Sequence, residues 1–315
     1  MRERLAPRLA PLLALGTLIL LFAWIYGRFA PALHFVLDDP IETEVALARP
    51  WLAAVTGSFT GEINWSGYRP LTYVLRATLA HLFGTRQMAG YYFVSLGLHL
   101  FNTLLTWRVV RRVARNEAWA FLAAAIVLLL PAHNEAVLYM SASANLLALC
   151  FCLLTLEFAL TARRSTRLWP QIAAALCLAL AALAYEVTLP LIVLVAAADW
   201  AIDRAAVGAG GAPTLRRRLP MYALMGAAIL LVLGLRLWAG NGTVTPDRAD
   251  YALSLNPLHA ARGYLLLLGQ MLLLHTSPWP HVPLFANVRE WMAPTNPRAL
   301  ASMALALVLG TATLL

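Results

Sequence analysis

Long apolar runs cover most of the chain, and they constrain its fold more than any other feature. A helix that crosses a membrane needs about 20 consecutive, mostly apolar residues. About nine runs approach this length, and they lie at 10–26, 88–109, 118–131, 136–162, 170–185, 189–202, 221–239, 261–275 and 300–315. The sequence therefore predicts an all-α, polytopic membrane protein of about nine transmembrane helices.

The composition excludes the soluble classes of protein. Of 315 residues, 61% are hydrophobic and only 12% are charged, whereas roughly a quarter of the residues of a soluble domain are charged. The formal net charge is +9, but the basic residues stand in short clusters between apolar runs, which is typical of membrane topology signals. We therefore predict the lipid bilayer, and no nucleic acid, as a partner.

Arginine clusters set the predicted orientation. Cytoplasmic loops carry an excess of basic residues, and arginines cluster at 111–115, 163–167 and 204–218. All three clusters fall on the cytoplasmic side if 10–26 is an uncleaved membrane anchor and if 28–87 forms one long external loop. The N-terminus is then cytoplasmic.

The first external loop carries two segments that we predict to lie on the membrane surface. Residues 69–83 are too short to cross at about 15 residues, and they separate polar from apolar side chains into two faces. A second surface helix is predicted at 45–55. Residues 1–315 are taken as one transmembrane domain, and its end inside an apolar run favours a truncated sequence or a shortened relative.

Many of the 15 acidic residues are predicted to lie on the external side. These are Asp38, Asp39, Glu42, Glu44, Glu62, Glu135 and Glu186. We interpret Glu42, Glu44 and Glu62 as solvated loop residues. Glu135 and Glu186 stand in short turns between apolar helices, where an ionisable group that faces lipid costs several kcal/mol. We therefore expect these two to line a shared polar cavity.

Short motifs follow one another along residues 10–280. In chain order they are Asp38-Asp39-Pro40, Tyr68-Arg69-Pro70-Leu71, Leu98-His99-Leu100-Phe101-Asn102, Pro131-Ala132-His133-Asn134-Glu135, Tyr185-Glu186, Asn256-Pro257-Leu258 and Arg262. This order resembles that of the C-class (GT-C) membrane glycosyltransferases, and most closely the bacterial relatives of the transmembrane-and-TPR protein O-mannosyltransferases. The resemblance does not extend to the TPR part. The chain also departs from the family at Leu130, where the family has histidine, and before Glu186, where it has lysine.

The resemblance implies an activity and a location. A sugar would move, with inversion at its anomeric carbon, from a polyprenyl-phosphate donor to an acceptor hydroxyl on a protein or glycan. The reaction would take place at the external face of a bacterial inner membrane. No cofactor is required, although a divalent metal could bridge Asp38 and Asp39.

This activity assigns roles to particular residues. Asp38 and Asp39 are the candidate catalytic pair, with one carboxylate as general base, while a helix cap before Pro40 is the alternative. The candidate contacts to the donor phosphate are Arg69, His133, Arg236 and Arg262. The candidates for the cavity wall are Glu135, Glu186 and His99.

Most of these residues also have a structural alternative. Arginines at span ends commonly anchor a helix at the membrane interface, and His99 could join two helices together with Asn102. Loop or capping roles are open for His133, Glu135 and Glu186.

Two rival functions remain open at this stage. A transporter or flippase of a lipid-linked substrate would also place carboxylates and arginines in the membrane, although the internal repeats typical of transporters are not visible in this sequence. A truncated relative without catalytic activity is the other rival. Because the polar residues concentrate at one predicted face, we favour the enzyme.

Overall fold

A computed structural model of the protein describes residues 6–27, 39–63, 67–129, 134–165, 167–208 and 215–240. Every regular element among these residues is a helix, as predicted. The α-helices are α1 (Ala6–Tyr26), α2 (Asp39–Leu47), α3 (Trp51–Thr60), α4 (Pro70–Phe83), α5 (Met88–Ala114), α6 (Glu117–Leu129), α7 (Asn134–Leu138), α8 (Ser143–Ala162), α9 (Trp169–Ala184), α10 (Leu191–Gly208) and α11 (Leu215–Trp238). Short 3₁₀ turns occupy Met140–Ala142 and Glu186–Thr188. The predicted runs at 261–275 and 300–315 lie outside the described residues.

Three of the described helices are long and apolar enough to cross a membrane. They are Met88–Ala114, Met140–Ala162 and Arg218–Trp238. Shorter apolar helices are Pro11–Tyr26, Glu117–Leu129 and Trp169–Ala184. The described chain is therefore an all-α fold of membrane type, but it does not support the predicted number of spans.

Helix α10 replaces the predicted span at 189–202, and it is more polar than a spanning helix should be. Asp199 and Asp203 both lie on it. Arg163 at the end of α8 and Arg218 in α11 pair with these two carboxylates, with N–O distances of 2.6–2.9 Å. The prediction followed the apolar residues of this segment and did not anticipate that its charges are paired with those of neighbouring helices.

The predicted span at 136–162 is interrupted near its start. Tyr139 has extended backbone (φ −110°, ψ 112°) between α7 and the 3₁₀ turn. The backbone N–H groups of Met140 and Ser141 donate to the carboxylate of Asp39. Since that carboxylate satisfies these two donors, the chain can leave the helix here at little cost.

The predicted surface helix at 45–55 is wrong, because two helices meet there. Pro50 has φ −55° and ψ 145° and precedes α3. The residue before a proline is disfavoured in the helical region, so α2 ends and α3 begins on either side of the Arg49–Pro50 turn.

The helix predicted at 69–83 is confirmed as α4. It begins at Pro70, where a proline costs no hydrogen bond because the first N–H of a helix has no partner within that helix. Its polar face, including Thr72 and Arg76, is buried, whereas Leu82 on the opposite face is 67% exposed. The polar face of α4 therefore packs against the protein, as expected of a helix whose apolar face lies on lipid. The position of α4 at the membrane surface stays a prediction.

Small residues recur in the contacts around α9. Helix α9 packs between α8 and α11, while α5 packs against α6 and α8. The buried core around α9 includes Ala159, Ala162, Ala174 and Ala175. Small side chains let membrane helices approach closely, which improves their van der Waals contact.

Helix α3 ends at Gly61, against the C-terminal end of α11. Gly61 has a φ of +85°, in the left-handed region that favours glycine. A Cβ atom at this position would lie 2.5 Å from the carbonyl oxygen of Ala239. Only glycine permits this approach of the two backbones.

Ion pairs gather at two ends of the bundle. The loop end contains α2 to α4 with the 3₁₀ turns at Met140–Ala142 and Glu186–Thr188. The arginine end contains the turns after α5 and α8 and the start of α11. Arg112 pairs with Glu157 at the arginine end, at 2.6 Å, whereas Arg69 pairs with Glu186 at the loop end, at 2.8 Å. The predicted cytoplasmic clusters at 111–115 and 163–167 thus share one end.

This arrangement predicts that the two ends face opposite sides of the membrane. Single cysteines at Thr60 and Arg115, both exposed, would be introduced after replacement of Cys150, Cys152 and Cys177. We expect a membrane-impermeant maleimide to label Thr60→Cys in intact cells and Arg115→Cys only in inverted vesicles. Labelling of both positions from the same side would contradict the predicted topology.

Candidate functional site

Asp39 fastens the first loop to the turn before α8. Its side chain is fully buried, and its Oδ1 atom accepts hydrogen bonds from the backbone N–H and the hydroxyl of Ser141, both at 2.9 Å. The backbone N–H of Met140 lies 3.4 Å from Oδ2. These donors hold the carboxylate in one orientation.

Glu42 and Arg76 extend this cluster. Arg76 Nη1 lies 2.6 Å from Glu42 Oε2, and Arg76 Nη2 donates to the carbonyl oxygen of Ser141. The Ser141 hydroxyl lies 2.7 Å from Glu42 and 2.9 Å from Asp39, and with one proton it can donate to only one of them at a time. We refer to Asp39, Glu42, Arg76 and Ser141 as the Asp39 cluster.

The prediction of a solvated Glu42 is wrong. Its side chain is 16% exposed and paired with Arg76. Glu62 fits its predicted role better, since it is 63% exposed and pairs with a surface arginine, Arg49. Glu44 is also exposed.

Arg69 and Glu186 form a second, two-point ion pair at the loop end. Arg69 Nε and Nη2 donate to the two carboxylate oxygens of Glu186, each at 2.8 Å. The guanidinium also stands 4.2 Å from the ring centroid of Tyr185, within cation–π range. Nη1 of Arg69 makes no hydrogen bond within the described residues, so it can bind a further acceptor.

Burial and pairing act in opposite directions on this pair. Burial alone lowers the pKa of Arg69, but the hydrogen bonds and charge of Glu186 raise that pKa above its ordinary value. Burial likewise raises the pKa of Glu186, while Arg69 and, more weakly, Arg236 lower it below its ordinary value. Both groups are therefore charged at neutral pH, and three of the predicted site residues share one electrostatic environment.

Helix α4 connects the pair to the Asp39 cluster. Arg69 and Arg76 are seven positions apart in the sequence, which places them on one face of the helix, roughly 10 Å apart. Tyr73 lies between them, with its ring centroid 5.7 Å from the guanidinium of Arg76. The hydroxyl of Thr72 donates to the carbonyl oxygen of Ala184 at 2.8 Å and so holds this face against the end of α9.

His99 lies elsewhere, inside the helical bundle. It is 1% exposed, and its Nε2 atom is 3.1 Å from the hydroxyl oxygen of Tyr26 on α1. Asn102, one turn later, donates to the carbonyl oxygen of Leu146 at 2.8 Å. These two polar residues join α5 to α1 and α8.

Four of the predicted site residues have no described side chain. Asp38, His133 and Arg262 lie outside the described residues. Glu135 belongs to α7, and its side chain is outside the description.

Sequence reasoning missed Glu42, Arg76 and Ser141 as site residues. Glu42 follows Asp39 by three positions, so helical spacing could have placed it beside Asp39. The helical period did put Arg76 on the polar face of the predicted helix with Arg69, but that face was not assigned to the site. Ser141 carried no such signal, because its role depends on a contact with a residue 102 positions away.

The Asp39 cluster does not fit a divalent metal. Asp39 contacts N–H and O–H donors, and Glu42 is paired with the positive charge of Arg76. In the part of the chain that the structure describes, no group of three or more His, Cys, Asp or Glu residues could hold a metal ion.

We predict a measurable coupling between Arg69 and Glu186. A double-mutant cycle with Arg69→Lys and Glu186→Gln should give a coupling free energy of about 1–3 kcal/mol at pH 7, because the planar fork contacts both oxygens of the carboxylate. Since the folded pKa of Glu186 is lowered, the coupling is complete above the unfolded pKa of about 4.3 and disappears as the pH falls through the folded value. Urea unfolding at pH 7 and in strong acid would measure the coupling free energy. A coupling that is equally large at both would contradict the assignment.

Comparison with known proteins gives one partial similarity. Over 158 residues the chain is 31% identical to a Drosophila melanogaster protein named Protein O-mannosyl-transferase Tmtc1. The match covers 47% of this chain and 18% of that protein. No protein-family model matches the chain, and no solved structure matches it.

Proposed function

We propose that the protein is a membrane glycosyltransferase that moves a sugar from a polyprenyl-phosphate donor to an acceptor hydroxyl, with a protein serine or threonine as the favoured acceptor. The main support is the set of contacts made by the described part of the first loop. Asp39 and Arg76 join that loop to the turn before α8, and Arg69 joins it to the turn after α9. An acidic segment and an arginine face are thereby held together at one end of an apolar bundle. The name of the partial relative is consistent with a sugar transferred to protein.

The reaction needs three things of the protein. The acceptor oxygen forms a bond to the anomeric carbon as the bond to the phosphate oxygen breaks, and the phosphate leaves with the electron pair. A carboxylate must accept the proton of the acceptor hydroxyl. Cationic groups must stabilise the charge that grows on the departing phosphate. The polyprenyl tail must reach the site from the lipid.

We assign unequal roles to the two adjacent aspartates. Asp39 is fully buried and oriented by Ser141, which suits a residue that positions its neighbour. Asp38 is then the general base.

We assign the departing phosphate to Arg69 and Arg236. Arg69 donates from Nε and Nη2 to Glu186. Its Nη1 atom would donate to a phosphate oxygen. Arg236 adds positive charge near Glu186, since its charge contributes to the lowered pKa of that carboxyl. His133 and Arg262 remain further candidates for phosphate contacts, and Glu135 and Glu186 for the cavity wall.

The two aspartates should respond differently to substitution. Asp38→Asn should lower sugar transfer about 10²–10⁴-fold with unchanged thermal stability, because only the proton acceptor is lost. Asp39→Asn should also destabilise the protein, by about 1–3 kcal/mol, since a charged acceptor of buried hydrogen bonds is removed. Transfer from polyprenyl-phosphate mannose to a serine- and threonine-rich peptide would be measured per folded molecule.

Ser141→Ala is the matched control for this comparison. It removes one donor to Asp39 and keeps the backbone N–H, so it should reproduce part of the instability of Asp39→Asn with little loss of transfer. Parental transfer rates in both aspartate variants would leave the pair as a helix cap and would refute the proposed base.

Arg69→Lys should weaken donor use more than a charge-conserving change normally does. An ammonium group cannot keep two contacts to Glu186 and also reach a phosphate oxygen, so the KM for the donor should rise about 10-fold or more. Arg49→Lys, in an exposed pair of the same loop, is the control and should leave KM unchanged. An unchanged KM in Arg69→Lys would reduce Arg69 to an interfacial anchor.

A further inference from the structure

A cavity lined by polar side chains lies at the arginine end, away from the site described above. It has a volume of about 540 Å³ and is lined by Arg111, Arg112, Arg115, Asn116, Glu117 and Arg164. These residues come from the end of α5, the turn that follows it, the start of α6 and the turn after α8. The volume falls within the range of about 300–1,000 Å³ that is usual for small-ligand pockets.

The charges that line this cavity are only partly balanced. Arg111 pairs with Glu117 at 2.6 Å. Arg112 pairs with Glu157 at 2.6 Å. Arg115 and Arg164, both exposed, form no ion pair with any residue in the described ranges. The cavity therefore has an excess of positive charge that the described chain does not neutralise.

Guanidinium groups in this arrangement favour a phosphate-bearing ligand. Arginine binds phosphate oxygens in two-point contacts, and two unpaired arginines approach the cavity from separate turns. A single carboxylate lines it, and that carboxylate is already engaged by Arg111. Cations and neutral ligands would bind this lining much more weakly, because its net charge is positive.

Two tryptophans lie beside the cavity, and the exposed one, Trp119, favours a position near lipid headgroups. Trp107, one turn before Arg111, has its ring centroid 5.1 Å from that guanidinium. Trp119, in the first turn of α6, is 62% exposed. Tryptophan is enriched where apolar helices emerge from the hydrocarbon region. Basic pockets between membrane helices are known to bind anionic lipid headgroups.

We propose that this cavity binds the phosphate group of an anionic phospholipid, with Arg115 and Arg164 as its principal contacts. The site is separate from the Asp39 cluster and does not depend on glycosyl transfer. The bound headgroup would supply the negative charge that the turns after α5 and α8 lack.

The test uses the full chain, purified in a neutral detergent. Thermal unfolding midpoints would be followed during titration with phosphatidylglycerol, phosphatidylcholine or soluble glycerol phosphate, because a ligand of the folded state raises the midpoint with its concentration. We expect phosphatidylglycerol to raise the midpoint by several degrees and phosphatidylcholine to have no effect. Each of Arg115→Gln and Arg164→Gln should weaken the apparent affinity about fivefold, and the double variant about 30-fold. Arg167→Gln, an exposed arginine of the same turn that does not line the cavity, is the control.

The outcomes separate the sources of the phosphate. Stabilisation by phosphatidylglycerol alone, lost in the double variant and kept in Arg167→Gln, supports a lipid site. Equal stabilisation by glycerol phosphate would contradict the lipid and show a site for a soluble phosphate compound. No stabilisation, or equal losses in the double variant and the control, would overturn the proposal. Both substituted residues are exposed, so the variants should fold, and parental midpoints without lipid would verify this.

Discussion

The pairing of arginines with carboxylates is the interaction on which this structure depends. In a chain this apolar, each buried ion costs several kcal/mol unless an opposite charge and hydrogen bonds compensate it. Arg76 with Glu42 and Arg69 with Glu186 hold the polar face of α4 against the protein. The pairs of Asp199 do the same where α8, α10 and α11 meet. Because the pairs gather at the two ends, the middle of the bundle can consist of alanine, leucine and a few hydrogen-bonded polar side chains.

Local sequence rules predicted the elements that depend on local physics. Helix α4 begins at Pro70 and separates its faces as the helical period of 3.6 residues requires. The arginine clusters at 111–115 and 163–167 share one end, as topology rules suggested. Pro50 also carried a usable local signal, and the prediction of one helix at 45–55 overlooked it.

Long-range contacts explain what the sequence could not predict. The interruption at Tyr139 accompanies an Asp39 carboxylate that receives the next two N–H groups. At the candidate site, sidedness suggested that Arg69 and Glu186 belong together, but no periodicity connects residues 117 positions apart. The ion pairs of α10 could not be predicted for the same reason, since the partners of Asp199 belong to other helices.

The contact between α3 and α11 has an electrostatic consequence. Both helices arrive there with their C-terminal ends, where the aligned peptide dipoles leave roughly half a negative charge each, and Gly61 lets the two backbones approach closely. Two like partial charges at this distance repel each other. Arg236 stands in the last turn of α11 and supplies a full positive charge near this junction. The Arg236 guanidinium, which adds a smaller share than Arg69 to the lowered pKa of Glu186, therefore also offsets the repulsion between two helix dipoles.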